Sequence, residues 1–431
     1  MADFKYPVET IITFQTVPTK FGIGASMELS YEVKKRDAKK ILLLIDKNLE
    51  ENNPYVKDLL DDLARHNIKY DTFNNIHIEP TDKFFINVVD DTKSNNFDLY
   101  VAIGGGSTID TAKVVSLMHT FGGDLFDYIN RPIGKAVPLK GPIRPVIAIP
   151  TTAGTGAEST PTAVMDIVDL KVKTGISYQE IRPTCALIDP LLTISMNKYV
   201  TASTGMDVAI HALESYTNKP YNARPKIDDP KNRPAYIGCN IISDMWCEKA
   251  IEIIGKYLRR AFSNPYDLEA RWHMMLASSF AGIGFGNAGL HIPHSMAYPI
   301  AGLVKNYKPS GYNASEPMVP HGISVCLTAP AAFKLTAKVW PSKHKKAAKL
   351  LGEDIDDLND LEGAQKLSDA VTKLMKDIEI PNGLSALGYT KEDIPLIVEG
   401  TLKQERLLTG TPFEVTNEVL YFVAQESMVL W

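Results

Sequence analysis

The chain has 431 residues, of which 45% are hydrophobic and 23% charged, with a formal net charge of -5 at pH 7. This composition is typical of a folded protein that is long enough for two or three domains. Because charges of both signs are mixed and no broad basic surface is indicated, nucleic acid is not expected as a partner.

The amino-terminal residues have neither the charged and then apolar order of a signal peptide nor the Arg-rich composition of a transit peptide, so we expect a cytoplasmic protein. Four cysteines without a Cys-x-x-Cys pair are typical of reduced, buried thiols. One segment, 272–304, has no charged side chain, but its glycines, histidines and prolines favour buried helices over a membrane span. No membrane partner is expected.

Short apolar runs alternate with helical patterns up to about residue 190. The apolar runs are 41–45, 99–103 and 146–149, and the helical patterns between them include 55–66 and 108–119. This alternation predicts a parallel sheet covered by helices. After residue 190 long helical patterns continue to the end of the chain, which predicts an α/β domain over 1–190 and an all-helical domain over 191–431. Two proline-rich stretches, 218–234 and 305–320, are predicted loops.

Three glycines, Gly104, Gly105 and Gly106, followed by Ser107, connect a predicted buried strand to a predicted helix. The free backbone amides and the positive end of the helix dipole at such a junction bind phosphate. The run lacks the third glycine of Gly-x-Gly-x-x-Gly and the Gly-Lys-Ser/Thr end of a P-loop. By itself, a glycine turn is also a common structural feature.

A second loop offers the hydroxyls of Thr151, Thr152 and Thr155 after another buried strand. Two such loops at strand ends predict a dinucleotide site in the first domain. Asp46 ends an earlier strand, where its carboxylate would accept hydrogen bonds from ribose and repel a 2′-phosphate. This favours NAD as the cofactor and leaves NADP open.

Asp207 and His211 are four residues apart in a helical pattern, which places their Cβ atoms on one helix face about 5–6 Å apart. With His294 and His321, they offer one carboxylate and three imidazoles. This set suits iron(II) or zinc and leaves positions open for a substrate oxygen. The alternative is that these are ordinary buried polar residues, since the chain has nine histidines.

Five motifs occur in a fixed order along the chain, at 104–113, 150–158, 205–211, 294–299 and 320–322. Together they resemble the iron-containing (group III) alcohol dehydrogenases, from Phe21 to beyond His321. Within that family, the residues at 286–291 and 298–305 are most similar to the members that exchange hydride between hydroxyacids and oxoacids. The resemblance implies an amino-terminal dinucleotide-binding domain and a helical metal-binding domain, as in the dehydroquinate synthase-like fold.

The resemblance also implies roles for individual residues. Asp207, His211, His294 and His321 would bind the metal, and the glycines with Ser107 would hold the pyrophosphate. Phe285 would lie near the nicotinamide, and Asp46 would be the acid on the ribose side. The remaining cofactor contacts would be Asp110, Thr151, Thr152, Thr155 and Lys173.

One departure from the family pattern concerns proton transfer. Many members read His-x-x-x-His-Pro where this chain reads His294 to Pro299 with Tyr298 in place of the second histidine. His291 is a candidate catalytic substitute, and the alternative is a structural histidine.

These features predict a metal-dependent oxidoreductase that transfers hydride between a nicotinamide and a small hydroxyacid or alcohol, and that forms a homo-oligomer. A general iron or zinc alcohol or polyol dehydrogenase would use the same site. A lyase of the dehydroquinate synthase type and a non-catalytic binding protein are further alternatives. For a hydroxyacid, Arg224, Arg233 and Lys305 are candidates to bind the carboxylate, unless they are solvated loop charges.

Overall fold

The structure is a computed structural model that describes residues 8–170, 172–230, 233–312, 314 and 316–431. The strands are β1 Thr19–Phe21, β2 Ile41–Ile45, β3 Tyr70–Phe73, β4 Leu99–Gly104, β5 Val146–Pro150, β6 Thr162–Ile167, β7 Val172–Ser177 and β8 Cys185–Ile188. The helices before residue 190 are α1 Leu29–Lys35, α2 Lys47–Asn52, α3 Pro54–Arg65, α4 Asp82–Thr92, α5 Gly106–Phe121 and α6 Leu125–Tyr128.

The later part of the chain is helical throughout its described elements. The helices are α7 Lys198–Tyr216, α8 Ile241–Ser263, α9 Leu268–Ala288, α10 Ile292–Gly302, α11 His321–Cys326, α12 Ala329–Thr336, α13 Pro341–Leu350, α14 Asp360–Asp377, α15 Ile394–Leu402, α16 Glu405–Leu408 and α17 Asn417–Glu426. No helix in the described part of the chain is long and apolar enough to cross a bilayer.

Six parallel strands form one sheet in the order β1, β8, β5, β4, β2, β3. Strand β2 shows why its sequence is uniformly apolar. Leu42 and Leu44 point into one hydrophobic cluster, while Ile41, Leu43 and Ile45 point into another. Both faces are therefore buried, as is usual for parallel sheets. The predicted fold class, an α/β part followed by a helical part, is confirmed.

The hairpin of β6 and β7 is an antiparallel pair outside this sheet, and the sequence patterns did not predict it. Its two strands carry Asp166 and Lys173, which face each other in the register. The predicted cofactor contact Lys173 thus lies on a separate hairpin and not at an end of the main sheet.

The described chain divides into two compact units, and each unit is built from separated segments. One comprises 16–204 with 260–279, and the other comprises 205–259 with 280–431 and the residues before Thr16. Residue 190, the predicted boundary, lies within the first of these units. The division into domains at 1–190 and 191–431 stays a prediction.

Arg271 shows what ties the segment 260–279 to its unit. Its guanidinium is buried, and it donates hydrogen bonds to the hydroxyl of Thr201 and to the carbonyl of Met196, each at 2.8 Å. A buried guanidinium is stable only when its donors are satisfied in this way. The guanidinium of Arg271 therefore connects the segment 260–279 to the end of the segment 16–204.

Candidate active site

Four side chains that the sequence places far apart converge in the helical unit. Asp207 and His211 lie on α7, His294 lies on α10, and His321 is the first residue of α11. One ligand atom from each lies within 4.8 Å of the others. The oxygen Asp207 Oδ1 is 3.6 Å from His211 Nδ1, 3.5 Å from His294 Nε2 and 3.8 Å from His321 Nε2.

These separations are too long for hydrogen bonds and leave polar atoms without partners. Asp207 Oδ1, His211 Nδ1 and His294 Nε2 are buried and have no hydrogen-bond partner among the described residues. Buried polar atoms without partners are rare and costly. A cation placed among them would satisfy all three, and a set of one carboxylate and three imidazoles is chemically suited to iron(II) or zinc.

The ionisation of two of these groups favours metal binding. Burial raises the pKa of the Asp207 carboxyl, but the neighbouring imidazoles outweigh it and hold the pKa well below its usual range. Burial lowers the pKa of His211 to about 3. Asp207 is therefore an anion and His211 a neutral base at physiological pH, which are the forms that coordinate metals.

His294 is different because it contacts two carboxylates. Burial lowers its pKa, but Glu214 and Asp207 together raise it to about 9. Glu214 is fully buried on α7 and was not among the residues predicted from the sequence. The sequence did carry one indication of its role, because Glu214 follows His211 by three residues and so lies on the same helix face.

The structure does not bring His291 into the cluster of four. His291 is fully buried, and its Nε2 lies 3.1 Å from the hydroxyl of Thr217. Since that hydroxyl donates its proton to the Leu213 carbonyl at 2.7 Å, it accepts from His291 Nε2–H. Burial lowers the pKa of His291 to about 4. A catalytic role for this histidine stays a prediction.

Tyr298, which replaces the family's second histidine, is buried on α10. Its ring lies 6.4 Å from the imidazole of His321. Phe285 of α9 covers one face of the His211 ring. Two of the four proposed ligands, His211 and His321, therefore each have an aromatic side chain beside the imidazole.

The two loops predicted to bind phosphate lie against each other in the α/β unit. A Cβ added to Gly105 would lie 3.3 Å from the Thr152 hydroxyl, and one added to Gly106 would lie 2.7 Å from a Thr155 carbon. The amide of Thr151 donates to the carbonyl of Gly104 at 3.0 Å. A side chain at position 106 would therefore force Thr155 to shift, whereas at position 105 Thr152 would have to give by only a few tenths of an ångström.

Helix α5 begins in this glycine run without a local cap. Gly105 is its N-cap and offers no side chain, so no side-chain hydrogen bond caps the helix. Ser107 lies in the first turn, and its hydroxyl accepts from the amide of Glu79 at 3.3 Å. Such a helix end is suited to an anion.

Three charged residues predicted as cofactor contacts have partners within the protein. One oxygen of Asp46 caps α2 by accepting from the amides of Asn48 and Leu49. Asp110 accepts from the Val164 amide at 2.9 Å and lies 3.3 Å from the Lys113 ammonium.

The third of these charged residues is Lys173. Its ammonium pairs with the carboxylate of Glu79 and lies 3.5 Å from an oxygen of Asp166. The cofactor roles of Asp46, Asp110 and Lys173 stay predictions.

The chain is similar to known proteins at the level of family, sequence and fold. The family model for iron-containing alcohol dehydrogenase matches residues 18–190, and the model for the carboxyl-terminal part of the Fe-containing alcohol dehydrogenase family matches residues 235–425. The hydroxyacid-oxoacid transhydrogenases of Rattus norvegicus and Homo sapiens are each 46% identical to this chain, covering 96% of it and 88% of their own length.

Solved structures of the same kind are also similar. The structure of 1,3-propanediol oxidoreductase covers 97% of this chain and 100% of its own, with 28% identity and a TM-score of 0.84. An alcohol dehydrogenase from Oenococcus oeni gives the same values.

The expected location is corrected by these relatives. The transhydrogenases of both mammals are named as mitochondrial proteins. The expectation of a cytoplasmic protein is therefore wrong, and it failed because the composition of a few terminal residues is a weak indicator of compartment.

Proposed function

This chain belongs to the iron-containing alcohol dehydrogenase family and is a metal-dependent oxidoreductase, and we propose that it acts as a hydroxyacid-oxoacid transhydrogenase. In this reaction a nicotinamide receives hydride from a small hydroxyacid and passes it to an oxoacid. The observation that carries the proposal is the convergence of four ligand atoms within 4.8 Å, in a chain 46% identical to such enzymes.

The proposed metal ligands are Asp207, His211, His294 and His321, with iron(II) as the metal and zinc as the alternative. A divalent cation held there supplies Lewis-acid chemistry to the substrate oxygen. The chain contributes the negative charge of Asp207 and three imidazole nitrogens. In anaerobically purified protein we expect one metal ion per chain. Asp207→Ala and His211→Ala should each lose the metal and the activity; retention of both would contradict the proposal.

The proposed cofactor is NAD, bound at the loops of the α/β unit. The amino-terminal end of α5, which Gly105 leaves without a side-chain cap, supports a pyrophosphate site at Gly105, Gly106 and Ser107. The Oδ1 atom of Asp46 is used as a helix cap, which leaves Oδ2 for a ribose hydroxyl. Asp46→Asn keeps the capping oxygen and removes the charge that would repel a 2′-phosphate. The ratio of kcat/KM with NAD to kcat/KM with NADP should therefore fall. An unchanged preference would contradict the role of Asp46.

The ion pairs of the three candidates for binding the substrate carboxylate support a preference among them. Arg233 lies 3.3 Å from a carboxylate oxygen of Glu9, and Lys305 lies 2.6 Å from one of Asp393. No carboxylate among the described residues forms an ion pair with Arg224, whereas a buried Nε without a hydrogen-bond partner in that part of the chain is common to Arg224 and Arg233 and does not distinguish them. Arg224 is therefore the preferred candidate of the three.

A matched pair of variants tests this preference. Arg224→Gln should lower kcat/KM for a hydroxyacid by about 10-fold or more, the effect of losing a charge-assisted hydrogen bond, and spare a plain alcohol of similar size. Arg233→Gln, at a site already paired with Glu9, is the control. Equal losses on both substrates would mean that Arg224 has only a structural role.

Isotope transfer distinguishes a transhydrogenase from an ordinary dehydrogenase. The protein is incubated with an oxoacid and a hydroxyacid deuterated at the hydroxyl-bearing carbon, without added cofactor, and the new hydroxyacid is analysed by mass spectrometry. A transhydrogenase that retains its nicotinamide passes the label from one acid to the other over many turnovers. An alcohol or polyol dehydrogenase turns over only when NAD is added, and its label appears in free NADH.

A further inference from the structure

We infer that Glu214 is a positioning residue that fixes the orientation and the tautomer of His294. The inference rests on the proposed metal centre, because it concerns how one of its four ligands is held. Glu214 touches neither the substrate nor the cofactor in this assignment, and its effect on the metal is exerted through His294.

The contacts of Glu214 are unusually complete for a carboxylate. Its side chain is fully buried, and its Oε1 accepts hydrogen bonds from the backbone amides of His291 at 2.9 Å and His294 at 3.3 Å. Its Oε2 is in hydrogen-bond contact with His294 Nδ1. One carboxylate therefore holds both the backbone and the ring of the same histidine.

The two amide contacts place Glu214 at the amino-terminal end of α10. His291 is the N-cap residue of this helix and makes no side-chain capping hydrogen bond. The first amides of a helix need acceptors, and a negative charge at this end is favourable. Glu214 supplies both the acceptor oxygen and the negative charge from α7, and this contact fixes where α10 begins relative to α7.

The ring contact decides which nitrogen of His294 carries the proton. A carboxylate only accepts hydrogen bonds, so His294 Nδ1 must donate to Glu214 Oε2. In the neutral ring, Nε2 then carries the lone pair, and this atom lies 3.5 Å from Asp207 Oδ1 and has no hydrogen-bond partner among the residues that the structure describes. Histidines that bind a metal through one ring nitrogen are commonly oriented by a carboxylate that accepts a hydrogen bond from the other nitrogen. Glu214 is that carboxylate for His294.

The position of Glu214 on α7 makes this arrangement rigid. Asp207, His211 and Glu214 follow one another at spacings of four and three residues, so they lie on one face of a single helix. Two proposed ligands and the group that orients a third ligand therefore belong to one rigid element. A capping role alone would require only the amide contacts.

Glu214→Gln separates the two roles. The amide oxygen of glutamine can still accept from the two backbone amides, so the cap is kept. The NH₂ group of the glutamine then faces His294 Nδ1, so Nδ1 must become the hydrogen-bond acceptor. The ring proton moves to Nε2, where it competes with the metal. We expect metal affinity to fall by about 10- to 100-fold, while the midpoint of thermal unfolding of the metal-free protein changes little.

Metal affinity is measured by competition with a chelator, using zinc as the probe. Glu158→Gln is the matched control, because Glu158 is also a buried glutamate but has no described contact with the four proposed ligands. Wild type and Glu158→Gln should bind zinc equally. Equal binding by Glu214→Gln with a lowered unfolding midpoint would overturn the inference and leave Glu214 as a helix cap.

A second measurement covers the case in which Glu214→Gln does not fold. In the zinc-loaded wild-type protein labelled with ¹⁵N-histidine, the ring of His294 should carry its proton on Nδ1 and bind through Nε2. Binding through Nδ1 would overturn the inference while the metal centre stands. Failure of the folded wild type to bind zinc or iron would instead refute the proposed metal centre itself.

Discussion

The rings of Phe285 and His211 are stacked, with centroids 4.1 Å apart and an interplanar angle of 8°. The imidazole of His294 is also stacked on His211, at 4.4 Å and 24°. Because two rings cannot occupy one face at these separations, His211 lies between Phe285 and His294. Its rotation about the side-chain bonds is therefore restricted from both sides.

Replacing Phe285 by leucine should loosen His211 without removing a ligand. Aromatic stacking contributes about 0.5–1.5 kcal/mol, so we expect metal affinity to fall by about 2- to 10-fold. The measurement is chelator competition with zinc. Phe280→Leu, on the same helix against Trp246 and away from the ligands, is the control. Equal changes in both variants would mean that the stack on His211 is irrelevant to metal binding.

Glu158 should make stability depend on pH. Burial raises its pKa to about 7, with Lys113 opposing the shift only in part. The folded state therefore favours the protonated form, so its stabilising contribution is complete below pH 4.5 and is lost as pH rises through 7. The free energy of unfolding should lose about 3 kcal/mol from this group over that range.

The variant Glu158→Gln cannot ionise and should lack this loss. Urea unfolding of both proteins at several pH values between 4.5 and 8 gives the comparison. The stability of the variant relative to wild type is expected to increase with pH. Parallel curves would show that Glu158 keeps its ordinary pKa.

Alanine in place of Gly205 should destabilise the protein, although alanine is the better helix former. An added Cβ would lie 2.2 Å from Leu258 Cδ1, and Leu258 is fully buried on α8. Alanine gains up to about 1 kcal/mol of helix propensity, but overpacking costs about 1–3 kcal/mol. We therefore expect Gly205→Ala to lower the unfolding midpoint.

The same contact predicts non-additivity. Leu258→Ala alone should cost about 2–5 kcal/mol through the cavity it leaves. In the double variant the new methyl group enters that cavity, so the loss should be smaller than the sum of the single losses. Additive losses in urea unfolding would show that the two helices rearrange at this point.

His291 has a test that separates a proton relay from a structural histidine. The sequence predicts only that His291 is a candidate catalytic residue; in the structure, a proton relay through it would use its Nε2 and the Thr217 hydroxyl, which lie 3.1 Å apart. Loss of such a relay lowers kcat by about 100-fold or more. If His291 is catalytic, His291→Gln and Thr217→Val should both have this effect and remove the same ionisation from the pH profile. A change below about threefold in both would assign His291 to the core.

The sequence predicted those features of the site that depend on local spacing. The helical period places Asp207 and His211 on one face, and the glycine run marks a strand-to-helix junction. Glu214 obeys the same period, but an acid on a helix is usually exposed, and its partners on α10 are distant in sequence. Only the fold shows that it is buried.

Asp46 illustrates a competing local role. Its position after a strand suggested ribose binding, while the same residue type is also a preferred N-cap, and the structure uses it to cap α2. For Asp110 and Lys173, the partners Val164, Glu79 and Asp166 come from segments whose pairing is not encoded in spacing. The resemblance to a family supplied the remaining site residues.

The buried Arg271 limits how this chain can be recombined with its relatives. Its partners Thr201 and Met196 lie near the end of one segment, while Arg271 is encoded after a long intervening stretch. A chimera that takes 16–204 and 260–279 from different parents always keeps the backbone carbonyl of residue 196 as an acceptor, but it keeps the hydroxyl acceptor only if residue 201 is Thr or Ser. Recombination between relatives must therefore preserve a hydroxyl at position 201 wherever it preserves Arg271.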